Sequence, residues 1–273
     1  MRRDGIGWGQ ALAGGDGQAR RGVTDGGRVV MWSGSSLWTS RGTGHVPAHA
    51  HHALQLVLSP QRPARVQAGD AWTSGHLLLV PPDLVHAFDG MGADVAMVFV
   101  APESMAGRVL LAAHGSGAVA VLEDARVLAQ ADALLGLAHG QADASALETA
   151  ARAIIDLLTG TLPGGDAPDP RIGRVLEWLE RNADGPLALA DAAAVAHLSP
   201  SRFRHLFVQH TGVPFRTHVL WTRLNRAVAE RLAGRSWTEA AQRSGFADQA
   251  HLTRTCRRMF GVAPTMFGNP HGP

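Results

Sequence analysis

The sequence predicts an α+β multidomain protein: an N-terminal β-barrel with helices after it, then an all-α domain with two helix-turn-helix units. Three observations carry that reading. Short apolar runs separated by Gly, Pro and Asp dominate from Val29 to about Pro102, the pattern of a small barrel or sandwich. Beyond Arg171 the apolar spacing becomes helical, and a design of small-residue helix, turn and second helix occurs twice. The charge divides at the same place. Residues 171–273 carry 14 Arg against 7 acidic residues, and residues 1–170 carry 11 Arg against 16, within a net charge of +2. A basic C-terminal half points to a polyanionic partner, and the acidic half argues against uniform coating of nucleic acid.

In chain order, residues 1–26 are Gly-rich without a sustained period and read as a mobile tail with one strand near its end. The barrel, residues 27–105, rests on the runs Val29–Trp32, Leu54–Leu58, Leu77–Val80 and Val95–Val100. Trp32, Trp72 and Phe88 would wall a pocket in it or fill its core. Residues 106–160 read as helical. Val119–Leu137 forms one segment, and a second opens on the capping spacing Ser145 to Glu148 and lines up Leu147, Ala151, Ile154, Ile155 and Leu158. This stretch is a natural dimerisation surface or a cover for its own barrel. Residues 161–170, TLPGGDAPDP, have linker composition.

The last domain, residues 171–273, begins with Ile172, Val175, Leu176 and Leu179 on one helical face. In the first unit Ser199 is a cap, Pro200 takes the first helical position, and Leu198 with Phe203 has hydrophobic-staple spacing. Phe203, Leu206 and Phe207 then face inward, leaving Ser201, Arg202, Arg204, His205 and Gln209 outward. A long helix within Pro214–Leu232 connects to the second unit. There Ser236 and Glu239 have capping-box spacing, Gly245 suits a left-handed helix end, and Asp248 caps a helix with Leu252, Cys256, Met259 and Phe260 inward. Its other face carries Gln249, His251, Thr253, Arg254, Arg257 and Arg258, with no acid among them. A helix buried on one side and rich in donors on the other suits a DNA major groove, or is simply a solvated helix of a bundle.

Specific residues sharpen this choice. Arg223-Leu224 with Ala227, Gly245-Phe246 with Asp248, His251-Leu252 with Arg254, and Phe260-Gly261 with Pro264 resemble the tandem helix-turn-helix domain of AraC/XylS-family bacterial transcription regulators. The resemblance covers about residues 171–267. Cys256 stands where the family commonly has Phe, and His218 where it often has Tyr. It implies base-edge contacts from Ser201, Arg204 and His205 in the first unit and from Gln249, His251 and Arg254 in the second. Arg202, Arg257 and Arg258 are implied as phosphate contacts.

The N-terminal half carries a second resemblance. His49-Ala-His51 with Gln55, and Gly75 through Pro81-Pro-Asp83 to His86, are similar to the two short motifs of cupins. In metal-binding cupins two His, a Glu and a later His hold one ion. Here His49, His51 and His86 match the histidines, but Gln55 replaces the charged ligand. The set implies the lining of a small-molecule pocket, strand-end histidines, or a divalent metal site. His45 and His52 are less persuasive, since alternation along a strand would turn His52 away from His51.

Together these readings describe a DNA-binding transcription regulator governed by a small-molecule effector in the barrel. The alternatives are a metal sensor using the barrel histidines and a cupin-type metalloenzyme. The Gln55 replacement, and the lack of any other acid–base or nucleophile set, argue against an enzyme. The one candidate cofactor is a divalent metal in the barrel. The implied partners are an operator in double-stranded DNA, the effector, a second copy of the chain and, for an activator, RNA polymerase. The single Cys256 agrees with a reducing cytoplasm, and no apolar run has membrane-spanning length. Two Arg near the N-terminus without an apolar stretch after them make a signal peptide unlikely in composition.

Overall fold

The computed structural model describes residues 21–22, 27–32, 34–115, 117–160 and 169–267. Most of the expected tail, and the linker residues 161–168, lie outside the described residues. The first half is one antiparallel sheet rolled on itself, made of β1 (Arg21–Gly22), β2 (Arg28–Trp32), β3 (Ser35–His49), β4 (Leu54–Leu58), β5 (Ala64–Ala68), β6 (Ala71–Gly75), β7 (Leu77–Val80) and β8 (His86–Val100). The two long strands build the roll. β3 runs beside β8 from Ser35 opposite Val100 to His49 opposite His86. The other edge of β8 pairs first with β5 and then with β4. Register shifts between Ser40 and His49 bend β3 around the barrel. Gly90 is needed at the bend, because a Cβ there would lie 2.6 Å from the Thr43 carbonyl oxygen.

Alternation divides the apolar residues of the sheet between two cores. Val57, Val66, Leu78, Val80, Phe88 and Val95 fill the barrel interior. Leu54, Leu56, Leu58, Leu77, Leu79 and Val98 face outward and are covered by the helices that follow. Those helices are α1 (Met105–His114), α2 (Ala125–His139) and α3 (Ala144–Thr159). The buried faces of α2 and α3, including Leu134, Leu135, Ile154 and Ile155, pack onto this outer surface. Trp32 joins the same core, Phe88 belongs to the interior, and Trp72 is exposed with Arg65 stacked on it at 4.5 Å.

Several details differ from the sequence reading. The stretch Val119–Leu137 is not helical throughout. Ala120–Val121 is a strand, β9, which pairs with the otherwise open edge of β7, and α2 begins only after Asp124 caps it. Sheet-edge pairing outweighs local helical spacing there. The cap of α3 is Asp143, whose side chain accepts from the Ala146 N–H. Ser145 lies inside the helix, and Glu148 pairs with Arg152 instead. β3 contains Gly42, Gly44 and Pro47 and shows no sustained apolar alternation, so its 15-residue length was not legible.

The C-terminal domain consists of α4 (Pro170–Arg181), α5 (Leu189–Val195), α6 (Pro200–Thr211), α7 (Phe215–Leu232), α8 (Trp237–Arg243) and α9 (Gln249–Phe260), with a 3-10 turn at Pro264–Phe267. The expected local devices are present. Ser199 accepts from Arg202 N–H, Ser236 and Glu239 form the reciprocal capping box, and Asp248 accepts from His251 N–H. Gly212 and Gly261 end their helices in the left-handed conformation. The first unit packs Phe203 and Phe207 against Ile172, Leu176, Ala193 and Val219. The second packs Leu252, Cys256, Met259 and Phe260 against Leu224, Val228, Ala240 and Phe246, and this core continues into the barrel through Val29, Ala53 and Phe99. Barrel and C-terminal domain therefore share apolar core rather than merely touching. No helix among the described residues is long and apolar enough to cross a membrane.

Candidate functional site

The outward faces of α6 and α9 form the first candidate surface. Ser201, Arg202, Arg204, His205 and Gln209 on α6 are exposed, as are Gln249, Arg254, Arg257 and Arg258 on α9; His251 is half-buried. Burial of the opposite faces selects this orientation, since Phe203 and Phe207, or Leu252, Cys256 and Met259, must turn inward. Two groups on α9 already have local partners. Gln249 Oε1 accepts from the Thr238 hydroxyl at 2.8 Å, and the His251 ring lies edge-on to Phe246 at 5.2 Å. The other signature residues hold the scaffold. A guanidinium nitrogen of Arg223 donates to the Gly185 carbonyl at 2.7 Å. Gly245, at φ +72°, sits so close that a Cβ would come within 2.8 Å of Arg223 Nε and of the Ala183 carbonyl oxygen.

His49, His51, His86 and Gln55 are brought together at one end of the barrel interior. Their ring centroids are 4.3 Å apart for His49 and His86, 5.0 Å for His51 and His86, and 5.7 Å for His49 and His51. Each Nδ1 faces a backbone carbonyl: Pro47 for His49 at 2.8 Å, Ala53 for His51 at 2.9 Å, Leu84 for His86 at 2.8 Å. A carbonyl can only accept, so a proton on Nδ1 satisfies each of these contacts. Burial keeps the rings neutral, aided by mutual repulsion. It lowers His49, and takes His51 down to about 4 and His86 to about 3. Gln55 Oε1 stands 2.9 Å from His51 Nε2 and 3.2 Å from His86 Nε2, so each of these two neutral rings faces oxygen acceptors from both nitrogens while carrying a single proton. The cluster is roofed by the second helical domain, with the His51 ring 6.4 Å from Trp221.

A second buried group was not anticipated. His52 lies in the bend before β4, not on a strand, and its Nε2 is 3.1 Å from Glu103 Oε2. The other oxygen, Oε1, is 2.9 Å from Nε2 of His218 on α7. The carboxylate thus joins the barrel to the C-terminal domain. Burial opposes charge here, but the Glu103 charge and Asp83 raise His52 to about 9, while the two histidines hold Glu103 well below the ordinary range. In His218 burial dominates and lowers the pKa. Glu103 is 51 residues from His52 and 115 from His218, so no local motif could announce the group; the one hint was a histidine at position 218.

Between the halves lies a cavity of about 270 Å³, walled by Trp32 and Phe99 from the barrel and by Glu180, Trp221, Thr222 and Arg226 from the helical domain, among others. His49, His51, Gln55 and His86 are not among its walls. Burial, followed by the charges of Glu103 and Glu177, pushes the Glu180 carboxyl up to about 8.

A rolled sheet docked on paired helix-turn-helix units with basic outer faces defines a two-domain DNA-binding protein. Comparison with known proteins agrees. A family model described as "Helix-turn-helix domain" matches residues 192–269. The TetD protein of transposon Tn10 from Escherichia coli is 34% identical over 94 residues, covering 34% of this chain and 68% of TetD. The probable transcriptional regulator LumQ of Photobacterium leiognathi is 30% identical over 102 residues, 36% of this chain and 40% of LumQ. The matches thus span well under half of LumQ. Among solved structures, ToxT from Vibrio cholerae O395 aligns over 85% of this chain and 97% of its own, with a TM-score of 0.57 at 11% identity. At that identity the likeness shows the shared two-domain fold. The chain belongs to the AraC/XylS family.

Proposed function

We propose that this protein is a sequence-specific transcription regulator controlled by a small molecule held against its N-terminal domain. The observation that carries the proposal is the pair of exposed, acid-free faces on α6 and α9, the second of them mounted on a core continuous with the barrel. Ser201, Arg204, His205, Gln249, His251 and Arg254 read base edges, and Arg202, Arg257 and Arg258 hold phosphates. The barrel reaches α9 through shared core, so a ligand that binds one domain arrangement better than another changes DNA affinity. Structures of ToxT are described with an unsaturated fatty acid and with a naphthalenyl butenoic acid bound, which supports an effector-responsive reading. The same reading makes the protein a cytoplasmic non-enzyme that acts as a homodimer on double-stranded DNA, and meets RNA polymerase if it activates. The test is binding of the full-length protein to its own upstream DNA and to scrambled DNA across a salt series. A steep salt slope with clear preference for the upstream sequence supports a sequence reader. Equal binding to both, persisting after selection from random DNA, sinks it.

One observation favours a second reading, in which the effector is a divalent metal. Ligand atoms of His49, His51 and His86 lie within 4.8 Å of one another, Gln55 Oε1 stands against two of the rings, and backbone carbonyls at each Nδ1 favour tautomers that leave Nε2 for an ion. Such orienting partners are what metal-bound histidines require. A bound ion would supply a positive charge beneath α9. DNA affinity that shifts on adding zinc, and no longer shifts in His49→Ala, supports this reading; metal-indifferent binding removes it.

A further inference from the structure

The cluster of His52, Glu103 and His218 takes no part in either reading, and in it buried polar side chains of the two domains meet. We propose that these three side chains bind a zinc-class divalent metal ion that fastens the barrel to α7. The donors are one imidazole from the bend before β4, a carboxylate from the segment after β8, and one imidazole from the DNA-binding domain. One ligand atom from each lies within 4.8 Å of the others. The residues are 1%, 4% and 1% exposed, so the site is already assembled and desolvated. Two imidazoles and one carboxylate are a donor set that zinc takes up, with a further position left for water.

The groups behind the ligands fit the same chemistry. A metal-bound histidine is commonly oriented through its other nitrogen by a carboxylate or another acceptor. His52 Nδ1 is 3.6 Å from Asp83 Oδ2, an ionic contact beyond hydrogen-bond length, and His218 Nδ1 lies 3.3 Å from the Thr222 hydroxyl. That hydroxyl donates onward to the His218 carbonyl at 3.1 Å, leaving its lone pair for Nδ1–H. Charge points the same way. Glu103 and Asp83 both act electrostatically on His52 and His218, and Arg108 lies within reach of the Glu103 charge. At Glu103 the balancing charge comes from the His52 imidazolium and from Arg108, and a bound dication would displace the His52 proton and take its place. The neighbouring set of His49, His51 and His86 has no anionic ligand, so the two sites differ in kind.

The inference is independent of the regulator reading, because its test needs no DNA. Full-length protein, stripped with a chelator, is titrated with Co²⁺ and with Zn²⁺. The readouts are the visible absorption of a four-coordinate Co²⁺ centre, the bound stoichiometry, and the thermal midpoint. The combined variant His49→Ala/His51→Ala/His86→Ala should retain one cobalt site and the zinc-induced rise in midpoint. Glu103→Gln and His218→Tyr in that background should weaken Co²⁺ binding by at least about tenfold, the smaller effect expected for losing an orienting partner alone. His218→Tyr is the informative variant, since the tyrosine hydroxyl can still donate to Glu103 and keep the fold while the imidazole is gone. Circular dichroism checks that it is folded. No bound metal in the combined variant, or undiminished binding in folded His218→Tyr, overturns the proposal and leaves a hydrogen-bonded clamp.

Discussion

The backbone N–H of Ala50 donates to the carbonyl of Arg258 at 3.2 Å. The barrel thereby caps the last turn of α9, the second candidate reading helix, through main chain alone. Gly261 lies one step further on, at φ +72°, and a Cβ there would meet Val46 Cγ1 at 2.6 Å, His49 Nδ1 at 2.8 Å and the Pro47 carbonyl oxygen at 2.9 Å. Gly212 ends α6 with nearly the same φ, +79°, but a Cβ there meets nothing within 4 Å. The two positions separate backbone strain from domain contact. Gly212→Ala should cost about 1–2 kcal/mol, the strain of a left-handed alanine. Gly261→Ala should cost that plus about 1–3 kcal/mol of overpacking, and should loosen the barrel from α9. Chemical denaturation with limited proteolysis of both variants checks this. Equal losses would mean that the contact at Gly261 relaxes without resistance.

For DNA binding, Arg254→Ala should lower affinity for the preferred site by about 1–3 kcal/mol and blur one base position. Arg257→Ala should weaken binding to all sequences alike and reduce the salt slope by about 1. The difference follows from position on α9: Arg254 is on the exposed face near the helix middle, whereas Arg257 is in the last turn. Paired titrations on preferred and random DNA, each at several salt concentrations, distinguish the roles. An equal loss on both DNAs for Arg254→Ala would move it to the phosphate set.

Glu180 makes a prediction about pH. Its carboxyl, held in a buried site, titrates near 8 because burial and the charges of Glu103 and Glu177 disfavour ionisation. In the unfolded chain it ionises at an ordinary value near 4.5. Above that value the unfolded state releases a proton that the folded state retains, so this residue's contribution falls as pH rises and levels off beyond about 8. Glu180→Gln should remove the slope. Each full pH unit between the two titrations amounts to about 1.4 kcal/mol, so the variant should gain on the wild type by more than that between pH 5 and pH 8. Urea melts at the two values in the presence of chelator test it; parallel curves would show that Glu180 ionises freely in the folded protein.

Legibility of the fold followed the range of the interactions. Ser199, Ser236 with Glu239, and Asp248 act within three residues of themselves, and the sequence placed all of them correctly. Asp143 displaced Ser145 as the cap of α3 because either residue could end that loop, and spacing alone does not choose between them. β3 and β9 depend on partners far along the chain: Ser35 pairs with Val100, and Ala120 with Leu79. Neither Gly42-Thr43-Gly44 nor Ala120-Val121 advertises a strand by itself. The exposed faces of α6 and α9 were legible for the same local reason as the caps. His49, His51, Gln55 and His86 could be gathered from motif resemblance, but their position beneath Trp221 is a domain-docking fact. Glu103 lacked even a motif.

Cys256 gives a last prediction. It is fully buried among Leu252, Met259 and Phe246 on the second helical unit, and burial pushes its thiol well above the ordinary range. The thiolate is the reactive form, so the folded protein should not react with a disulfide reagent at pH 8, and one equivalent should react once denaturant unfolds the domain. Cys256→Ser, which buries a hydroxyl where a weakly polar sulfur packed, should cost about 1–3 kcal/mol. Cys256→Ala should also cost stability by opening a small void, but it leaves no polar atom to satisfy. A thiol that reacts rapidly in the folded state would show that the core shared by α9 and the barrel opens readily. The docked arrangement would then be one of several in exchange, and the Gly261→Ala effect should shrink with it.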